Sequence, residues 1–531
     1  MEADAKTESS NKLLFGVFLV LIVLASALHL SMSVNHDAAW LLHGTRNLVA
    51  GGAFGETVID VNPPLAWWIA APAVAIQKLT GVKLGLAFKL FVLLLVGASA
   101  WISERILASR VVGSGSATER LTKYLLAAIC LLIAGYDFGQ REYFMAVLAM
   151  PYVVLTGCRW RELHRNSVED GVQEVGVKNQ FGVALVLLAS FPGAIGFCIK
   201  PHFLAIPIAL ELWLLVKSRN VLNFLRIETL TIVVVGAVYL ICVWVFAPNW
   251  LLEILPQAMT SYGAYSSPLS NVAIQYGKSL LAPGAAVLLM FLLWQSRIRP
   301  ISTAFFVAGI GAAIAAIVQS KGWSYHILPA ALLWSVAGGL ELLGAIDAFR
   351  SQQKSDKSSP AIPVFAGTML ILYCVLVPCI NLMQDRLSDQ GNEGRVNDLT
   401  ELIDAQPDSD RSVFAFNTSP RVIHSAVIDS KGHWIGKACC LHFLPAMVRN
   451  PADDRLKEVA MEQMDEVMQM LEQSPCQVLV VDEGAGKLAF ANVRFDYLKW
   501  FRENYPQRFE AFIANYEQQE SIGYFAVFCR K

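Results

Sequence analysis

The sequence predicts an all-α membrane protein with many transmembrane helices and a small C-terminal α/β domain. Of its 531 residues, 55% are hydrophobic and only 16% are charged, whereas soluble domains carry about 25% charged residues. Apolar runs of about 20 residues, long enough to span a bilayer as a helix, recur along residues 13–383. Residues 384–531 have the composition of a soluble domain instead.

About eleven apolar runs are long enough to be membrane spans. They lie near 13–34, 84–104, 121–136, 143–158, 181–199, 201–216, 228–247, 278–294, 301–318, 325–345 and 362–383. The first run lacks a small-residue cleavage site, so we expect it to remain as an anchor after a short N-terminus, 1–12. The segment 65–80 is apolar but short and contains Pro72. We interpret it as an interfacial helix within a first outer loop, 35–83.

The basic residues predict the orientation of these spans. Lysines and arginines concentrate in alternate loops, among them Arg105, Arg110, Arg120 and Lys123, then Lys217, Arg219 and Arg226. All of these loops lie in the cytoplasm only if 65–80 does not cross the membrane. We therefore expect a bacterial inner-membrane protein with a cytoplasmic N-terminus and with residues 384–531 as an extracytoplasmic domain.

The C-terminal part alternates strand and helix patterns. Strands are predicted at 412–417, 476–482 and 523–530, and helices at 455–472 and 497–505. The chain shows no nucleotide-binding fingerprint and no internal repeat. One disulfide is conceivable among the cysteines of this part, but their spacing selects no pair. These cysteines are Cys439, Cys440, Cys476 and Cys529.

Three very short outer turns each hold a cation beside polar or aromatic neighbours. The turns are 136–142, 199–202 and 319–326. A lysine at a membrane edge often only extends to the interface, yet charges near the bilayer are costly and mark functional sites by default. We expect Arg141, Lys200 and Lys321 to converge on the outer face and bind a lipid phosphate, because arginine pairs bidentately and lysine acts as a point charge.

The first outer loop carries the candidate catalytic acid, Asp37, just after the first span. Its alternative role is to cap the helix that the following residues predict. Asp137 and Glu142 flank Arg141, so they either pair with it, line an acceptor site or hold a divalent metal. The histidines have no metal-ligand spacing, so no metal ligand is assigned. The residues expected to line the site are His36, Arg46, Asn62, Asp137, Gln140, Glu142 and His202.

Five short motifs, in this order and on these sides of the membrane, resemble the glycosyltransferase C superfamily of polytopic enzymes that use polyprenyl-phosphate-linked sugars. They are HDAAW after the first span, NPPLAWW at the end of the loop, DFGQRE, IKPHFL and QSKGWSYHILP, spread over residues 13–345. The nearest likenesses are to protein O-mannosyltransferases, aminoarabinose–lipid A transferases and rhizobial lipopolysaccharide galacturonosyltransferases. The chain departs from them in having one acid after span one, Asn62 where the aminoarabinose enzymes have a basic residue, and no DxD in the second loop. The metal requirement and the sugar stay open for that reason.

The resemblance implies an inverting transfer of a sugar from polyprenyl phosphate to an envelope glycan, lipid or protein, with membrane lipid and no nucleic acid as partner. It implies that Asp37 is the catalytic base, that Asp137 or Glu142 is the second-loop acid, and that Lys321, Gly322 and Tyr325 lie on the lipid-phosphate side. We assign Arg141, Lys200, Lys321, Tyr325 and His326 to the donor phosphate. The alternatives are a transporter or lipid flippase, a polysaccharide ligase or polymerase that uses pyrophosphate-linked glycans, and a non-enzymatic scaffold.

Overall fold

A computed structural model describes most of the chain. The described residues are 2–109, 117–169, 181–262, 266–277, 299–352, 392–484 and 494–531, with single positions at 284, 288, 380, 383 and 490. The chain divides into two compact units. The helix-bundle unit comprises Met1–Leu30, Leu90–Ile241 and Ser267–Leu382, and the loop–sheet unit comprises Ser31–Lys89, Cys242–Ser266 and Met383–Lys531.

Helices make up most of the described chain, with five short strands near its C-terminal end. The helices are α1 (Glu2–Ser31), α2 (His36–Val49), α3 (Leu65–Trp68), α4 (Ala71–Thr80), α5 (Leu84–Ala108), α6 (Ala117–Ala134), α7 (Arg141–Glu169), α8 (Val183–Cys198), α9 (Ala205–Ser218), α10 (Ile227–Phe246), α11 (Leu255–Tyr262), α12 (Arg299–Val318), α13 (Ser324–Gln352), α14 (Asn392–Asp404), α15 (Ile423–Asp429), α16 (Phe443–Arg449), α17 (Asp454–Gln473), α18 (Tyr497–Asn504) and α19 (Pro506–Ile513). The strands are β1 (Ser412–Phe416), β2 (His433–Trp434), β3 (Val478–Asp482), β4 (Tyr516–Gln518) and β5 (Phe525–Arg530).

Seven helices among the described residues are long and apolar enough to cross a membrane, so the chain is a multi-pass membrane protein. They contain Asn11–Ser31, Leu84–Ala108, Arg141–Trp160, Pro201–Ser218, Ile227–Phe246, Arg299–Val318 and Ser324–Gly344. Helix α8 is apolar but shorter. Such runs become helices in lipid because only a helix satisfies every backbone polar group within one segment.

The predicted spans agree with this architecture wherever the structure describes them. Each predicted span coincides with a helix, except 278–294 and 362–383, which lie almost wholly outside the described residues. The first helix ends at Ser31 rather than at Val34. The segment 65–80 forms the short helices α3 and α4, and neither is long enough to span. The total of eleven spans stays a prediction.

Small residues let the helices of the bundle unit approach closely. Helix α12 packs against α13, α9 and α7. At Gly311 a Cβ atom would lie 2.7 Å from the backbone oxygen of Ala205, so this α9–α12 contact requires glycine. Close backbone approach through small residues is a common way to pack helices in lipid, where burying apolar surface against apolar surface brings little gain.

The loop–sheet unit contains a five-stranded mixed sheet in the order β2-β1-β3-β5-β4. Strand β1 runs parallel to β2 and β3, and β5 runs antiparallel to β3 and β4. The predicted strands at 412–417, 476–482 and 523–530 are confirmed as β1, β3 and β5, and the predicted helices as α17 and α18. Helix α17 buries one face, and Phe416 stacks on Phe501 at 4.3 Å in the core.

Candidate functional site

The buried carboxylate of Glu142 lies at the centre of a polar cluster in the helix-bundle unit. Glu142 is in the first turn of α7 and has no exposed surface. Its Oε1 atom accepts a hydrogen bond from Lys200 Nζ at 2.5 Å. Its Oε2 atom has no hydrogen-bond partner among the described residues. Because an unsatisfied buried carboxylate oxygen is costly, this oxygen marks a place where a ligand or water is expected.

The turn between α12 and α13 adds an imidazole and aromatic rings to the same cluster. His326 Nε2 lies 3.9 Å from Glu142 Oε1, and His326 Nδ1 has no partner within the described chain. Lys200 Nζ also donates to Gln319 Oε1 at 3.4 Å and lies 5.9 Å from the centre of the Tyr325 ring. The Tyr325 and His326 rings meet edge to face at 4.5 Å. All three predicted turns therefore contribute to one cluster, because Glu142 itself belongs to the turn 136–142.

Two further cations act on this cluster through space. Arg141 interacts electrostatically with Glu142 and His326, and Lys321 interacts with His326. Arg141, Lys200 and Lys321 are only 8–9% exposed. The structure thus brings together the predicted phosphate-binding residues of this unit. The ion-pair partner of Glu142 is Lys200 and not the neighbouring Arg141.

The remaining predicted site residues of this unit lie beside the cluster. Gln140 Nε2 donates to Asp137 Oδ1 at 3.4 Å. His202 is exposed and interacts electrostatically with Lys200. A residue that the sequence did not single out, Tyr276, is 4% exposed and interacts with Glu142. No sequence signal distinguishes this tyrosine, because it reads as an ordinary aromatic residue before an apolar run.

In the loop–sheet unit, Asp37 lies in the first turn of α2 and does not cap it. The cap is Asn35, whose side-chain oxygen accepts a hydrogen bond from the Asp37 backbone N–H at 2.9 Å. The alternative role of Asp37 as the N-cap is therefore wrong. Asp37 Oδ1 lies 3.7 Å from His36 Nε2, and the side chain is 19% exposed. An acid in the first turn still benefits from the helix dipole.

A second acid of the same loop, Asp60, organises the loop internally. It accepts hydrogen bonds from Trp40 Nε1 at 2.8 Å and from the backbone and side-chain nitrogens of Asn62 at 2.7 and 2.6 Å. Its backbone oxygen accepts from Trp250 Nε1 at 3.1 Å. Asn62, at the end of the loop, is therefore held in place by its hydrogen bonds to Asp60. The sequence pointed to Asn62 but missed Asp60, although it stands two residues earlier.

Two buried imidazole rings lie against the ring of Trp40 in the loop–sheet unit. The Trp40 ring lies 5.8 Å from His43 and 5.2 Å from His424. Burial, together with the Arg46 cation, holds the pKa of His43 well below its usual value, and Arg46 Nη2 donates to His43 Nδ1 at 3.3 Å. Burial lowers the pKa of His424 to about 4, and this ring also interacts with Asp37 and His36. The predicted site residue Arg46 therefore hydrogen-bonds to the buried ring of His43.

Neither a metal cluster nor a disulfide is found among the described residues. No three histidine, cysteine, aspartate or glutamate side chains there come together so as to hold a metal ion. The four cysteines of the C-terminal part are free, and the sulfurs of Cys439 and Cys440 lie 3.5 Å apart.

The fold is similar to that of ArnT. The chain is similar to the crystal structure of ArnT from Cupriavidus metallidurans in the apo state, with a TM-score of 0.55, and to the same protein bound to undecaprenyl phosphate, with a TM-score of 0.53. Each likeness covers 97% of both chains at 12% identity. The predicted architecture, a helical membrane protein with a small C-terminal α/β domain, is thereby confirmed at the level of fold.

A third structure is more distant. The oligosaccharyltransferase AglB from Archaeoglobus fulgidus, in complex with an inhibitory peptide and a dolichol-phosphate, matches with a TM-score of 0.39 at 12% identity, over 97% of this chain and 74% of that one. We draw no argument from a likeness that low. No family model and no curated protein sequence matches the chain.

Proposed function

We propose that this chain is an inverting glycosyltransferase that moves a sugar from a polyprenyl-phosphate carrier to an envelope glycan, lipid or protein. The observation that carries the proposal is the buried cluster around Glu142, where Arg141, Lys200 and Lys321 gather at the ends of membrane helices. Such cations suit an anionic lipid phosphate. The fold adds support, because its relative ArnT has been solved with undecaprenyl phosphate bound.

In the proposed reaction, the two sets of predicted residues have separate tasks. Asp37 accepts the proton of the acceptor hydroxyl, whose oxygen forms a new bond to the anomeric carbon of the sugar. The bond from that carbon to the phosphate oxygen breaks, and polyprenyl phosphate leaves. Lys200 and Arg141 stabilise the negative charge that grows on the departing phosphate. A single displacement of this kind inverts the anomeric centre.

The proposal includes a side of the membrane. Nucleotide sugars are absent outside the cytoplasm, so a donor used there has to arrive attached to a lipid. We propose an inner-membrane protein of a bacterium with its N-terminus in the cytoplasm and residues 384–531 on the extracytoplasmic face, which follows from the alternating basic loops.

The test measures sugar transfer and release of polyprenyl phosphate by the purified protein in lipid vesicles. We expect Asp37→Asn to lower the rate of transfer by roughly 10²- to 10⁴-fold, the range for loss of a general base, while the protein still folds and inserts. Glu56→Gln serves as the control, because Glu56 is an exposed acid in the same loop and its replacement should leave the rate unchanged.

Each possible failure has a distinct meaning. Full transfer by Asp37→Asn would remove Asp37 from the mechanism. Movement of the donor across the bilayer without cleavage by the wild-type protein would replace the transferase with a flippase. Release of a pyrophosphate-linked carrier, detected by mass spectrometry of the lipid product, would favour a ligase or polymerase.

A further inference from the structure

A short helical stretch, 269–277, packs against the turn that carries Lys321. The Ser267 backbone N–H donates to the Ser320 carbonyl oxygen at 2.7 Å. Val272 and Tyr276, four residues apart and hence on one face of a helix, are 1% and 4% exposed. Leu269 and Ile274 are 65% and 60% exposed. The stretch therefore turns one face, which includes the Tyr276 ring, towards the interior of the bundle unit.

The hydroxyl of Tyr276 lies in the polar cluster rather than in an apolar core. It interacts electrostatically with the Glu142 carboxylate, and the Gly322 amide lies against its oxygen. The Gly322 N–H can serve only the oxygen of this hydroxyl, so its hydrogen has no acceptor within the described residues. Leaving a buried hydroxyl unsatisfied is unfavourable, and a molecule bound in the polar cluster beside Tyr276 would satisfy it.

The surroundings define the chemistry of that molecule. Glu142 is already engaged by Lys200 through Oε1, and Arg141 and Lys321 add positive charge to the same cluster. An anion is therefore stabilised here more than a cation. The cations attract an oxyanion but do not fix its orientation completely. A tyrosine hydroxyl, which donates one hydrogen bond, can fix the position of one oxygen of that oxyanion.

We propose that Tyr276 donates a hydrogen bond to a phosphate oxygen of the lipid carrier and holds that phosphate as it becomes the leaving group. This inference rests on the proposed function, and it adds a residue from a different part of the chain to the cations of the three outer turns. The hydroxyl stays with the same oxygen while the charge on the phosphate grows, so its contribution increases along the reaction.

The experiment compares two buried tyrosines that differ in their surroundings. In Tyr276→Phe the lost hydroxyl is the one beside Glu142. In Tyr143→Phe, the matched control, the lost hydroxyl is also buried and without a partner in the described chain, but its ring packs on Phe138 and its neighbouring ionisable group is the thiol Cys130. Binding of undecaprenyl phosphate and of undecaprenol, which lacks the phosphate, is measured with both variants and with the wild type in detergent.

We expect Tyr276→Phe to bind undecaprenyl phosphate roughly ten- to a hundredfold more weakly, the effect of losing a hydrogen bond to a charged group. Its binding of undecaprenol and its melting temperature should not change, and Tyr143→Phe should match the wild type in every measurement. Wild-type affinity of Tyr276→Phe for the phosphate overturns the inference while the transferase proposal stands, and so does an equal loss for both lipids. A wild-type protein that does not bind undecaprenyl phosphate contradicts the proposed function itself.

Discussion

The two ends of helix α7 hold buried charges that are arranged in different ways. Glu142 lies near its first residue and Arg159 seventeen residues later, which is about 26 Å along an α-helix. At the far end, within the part of the chain that the structure describes, Arg159 and Arg226 each pair with a carboxylate. Arg159 Nε donates to Glu228 Oε1 at 2.7 Å, and Arg226 Nη2 donates to both oxygens of Glu211 at 2.7 Å. Some guanidinium nitrogens of Arg226 have no partner in the described chain, but each of these two arginines has one carboxylate as its ion-pair partner.

At the near end three cations act on one cluster. Lys200 is the ion-pair partner of Glu142, Arg141 interacts with Glu142 and His326, and Lys321 interacts with His326. Matched pairs at the far end are sufficient to hold helices together. Glu142 Oε2 and His326 Nδ1 have no hydrogen-bond partner in the described chain, which is costly for folding alone. The proposed function assigns the charges at this end to binding and those at the far end to structure.

Replacing both members of one ion pair at each end tests whether the two ends of α7 differ in function. We expect the near-end double variant Lys200→Met/Glu142→Gln to fold almost as well as the wild type and to lose transfer by roughly 10²- to 10³-fold, the effect of deleting a group that stabilises transition-state charge. The far-end double variant Arg159→Met/Glu228→Gln should keep its transfer rate per folded molecule. Thermal unfolding in detergent and the transfer rate are the two measurements.

The single variants control for folding at both ends. Lys200→Met and Arg159→Met each leave a buried carboxylate without its partner, and each should lose about 3–5 kcal/mol of stability. The second substitution should restore most of that loss. If the near-end double variant regains both stability and transfer, the Glu142–Lys200 pair is structural and the two ends do not differ.

The loop–sheet unit differs from both ends of α7, because its buried histidines are kept neutral. Burial lowers the pKa of His424 to about 4, whereas an unfolded histidine titrates near 6.5. The unfolded chain therefore binds more protons between about pH 6.5 and 4, and stability falls as the pH falls through that window. The shift corresponds to a loss of up to about 3 kcal/mol for this one residue.

The measurement is the unfolding midpoint between pH 7.5 and 4.5. His424→Gln should flatten part of the pH dependence, since His43 and His442, whose pKa values burial also lowers, remain. An unaltered slope in His424→Gln would show that its ring is protonated without cost.

The sequence was a good guide to segments and a poor guide to partners. A long apolar run predicts a helix wherever lipid surrounds it, and short strand-like runs predicted β1, β3 and β5. Both signals are local in the sequence. The pairing of Glu142 with Lys200 joins residues far apart in the chain, so no local pattern shows it. Asn35 and Asp37 are both competent caps, and only the structure shows which one takes the helix N-terminus. Tyr276 depends on packing that has no sequence signal at all.

Two glycines with nearly the same backbone conformation test how local the near-end site is. Gly322 has φ +71° and follows Lys321, and Gly81 has φ +73° and ends α4 in open space. Alanine in this left-handed region costs about 1–2 kcal/mol at either position. At Gly322 the added Cβ would also meet the side chain of Gln275. We expect both variants to lose similar stability but only Gly322→Ala to reduce transfer, by up to about tenfold for a loss of 1.4 kcal/mol, because the strain falls beside Lys321. An equal loss of transfer in Gly81→Ala would mean that stability, and not the position of Lys321, limits the reaction.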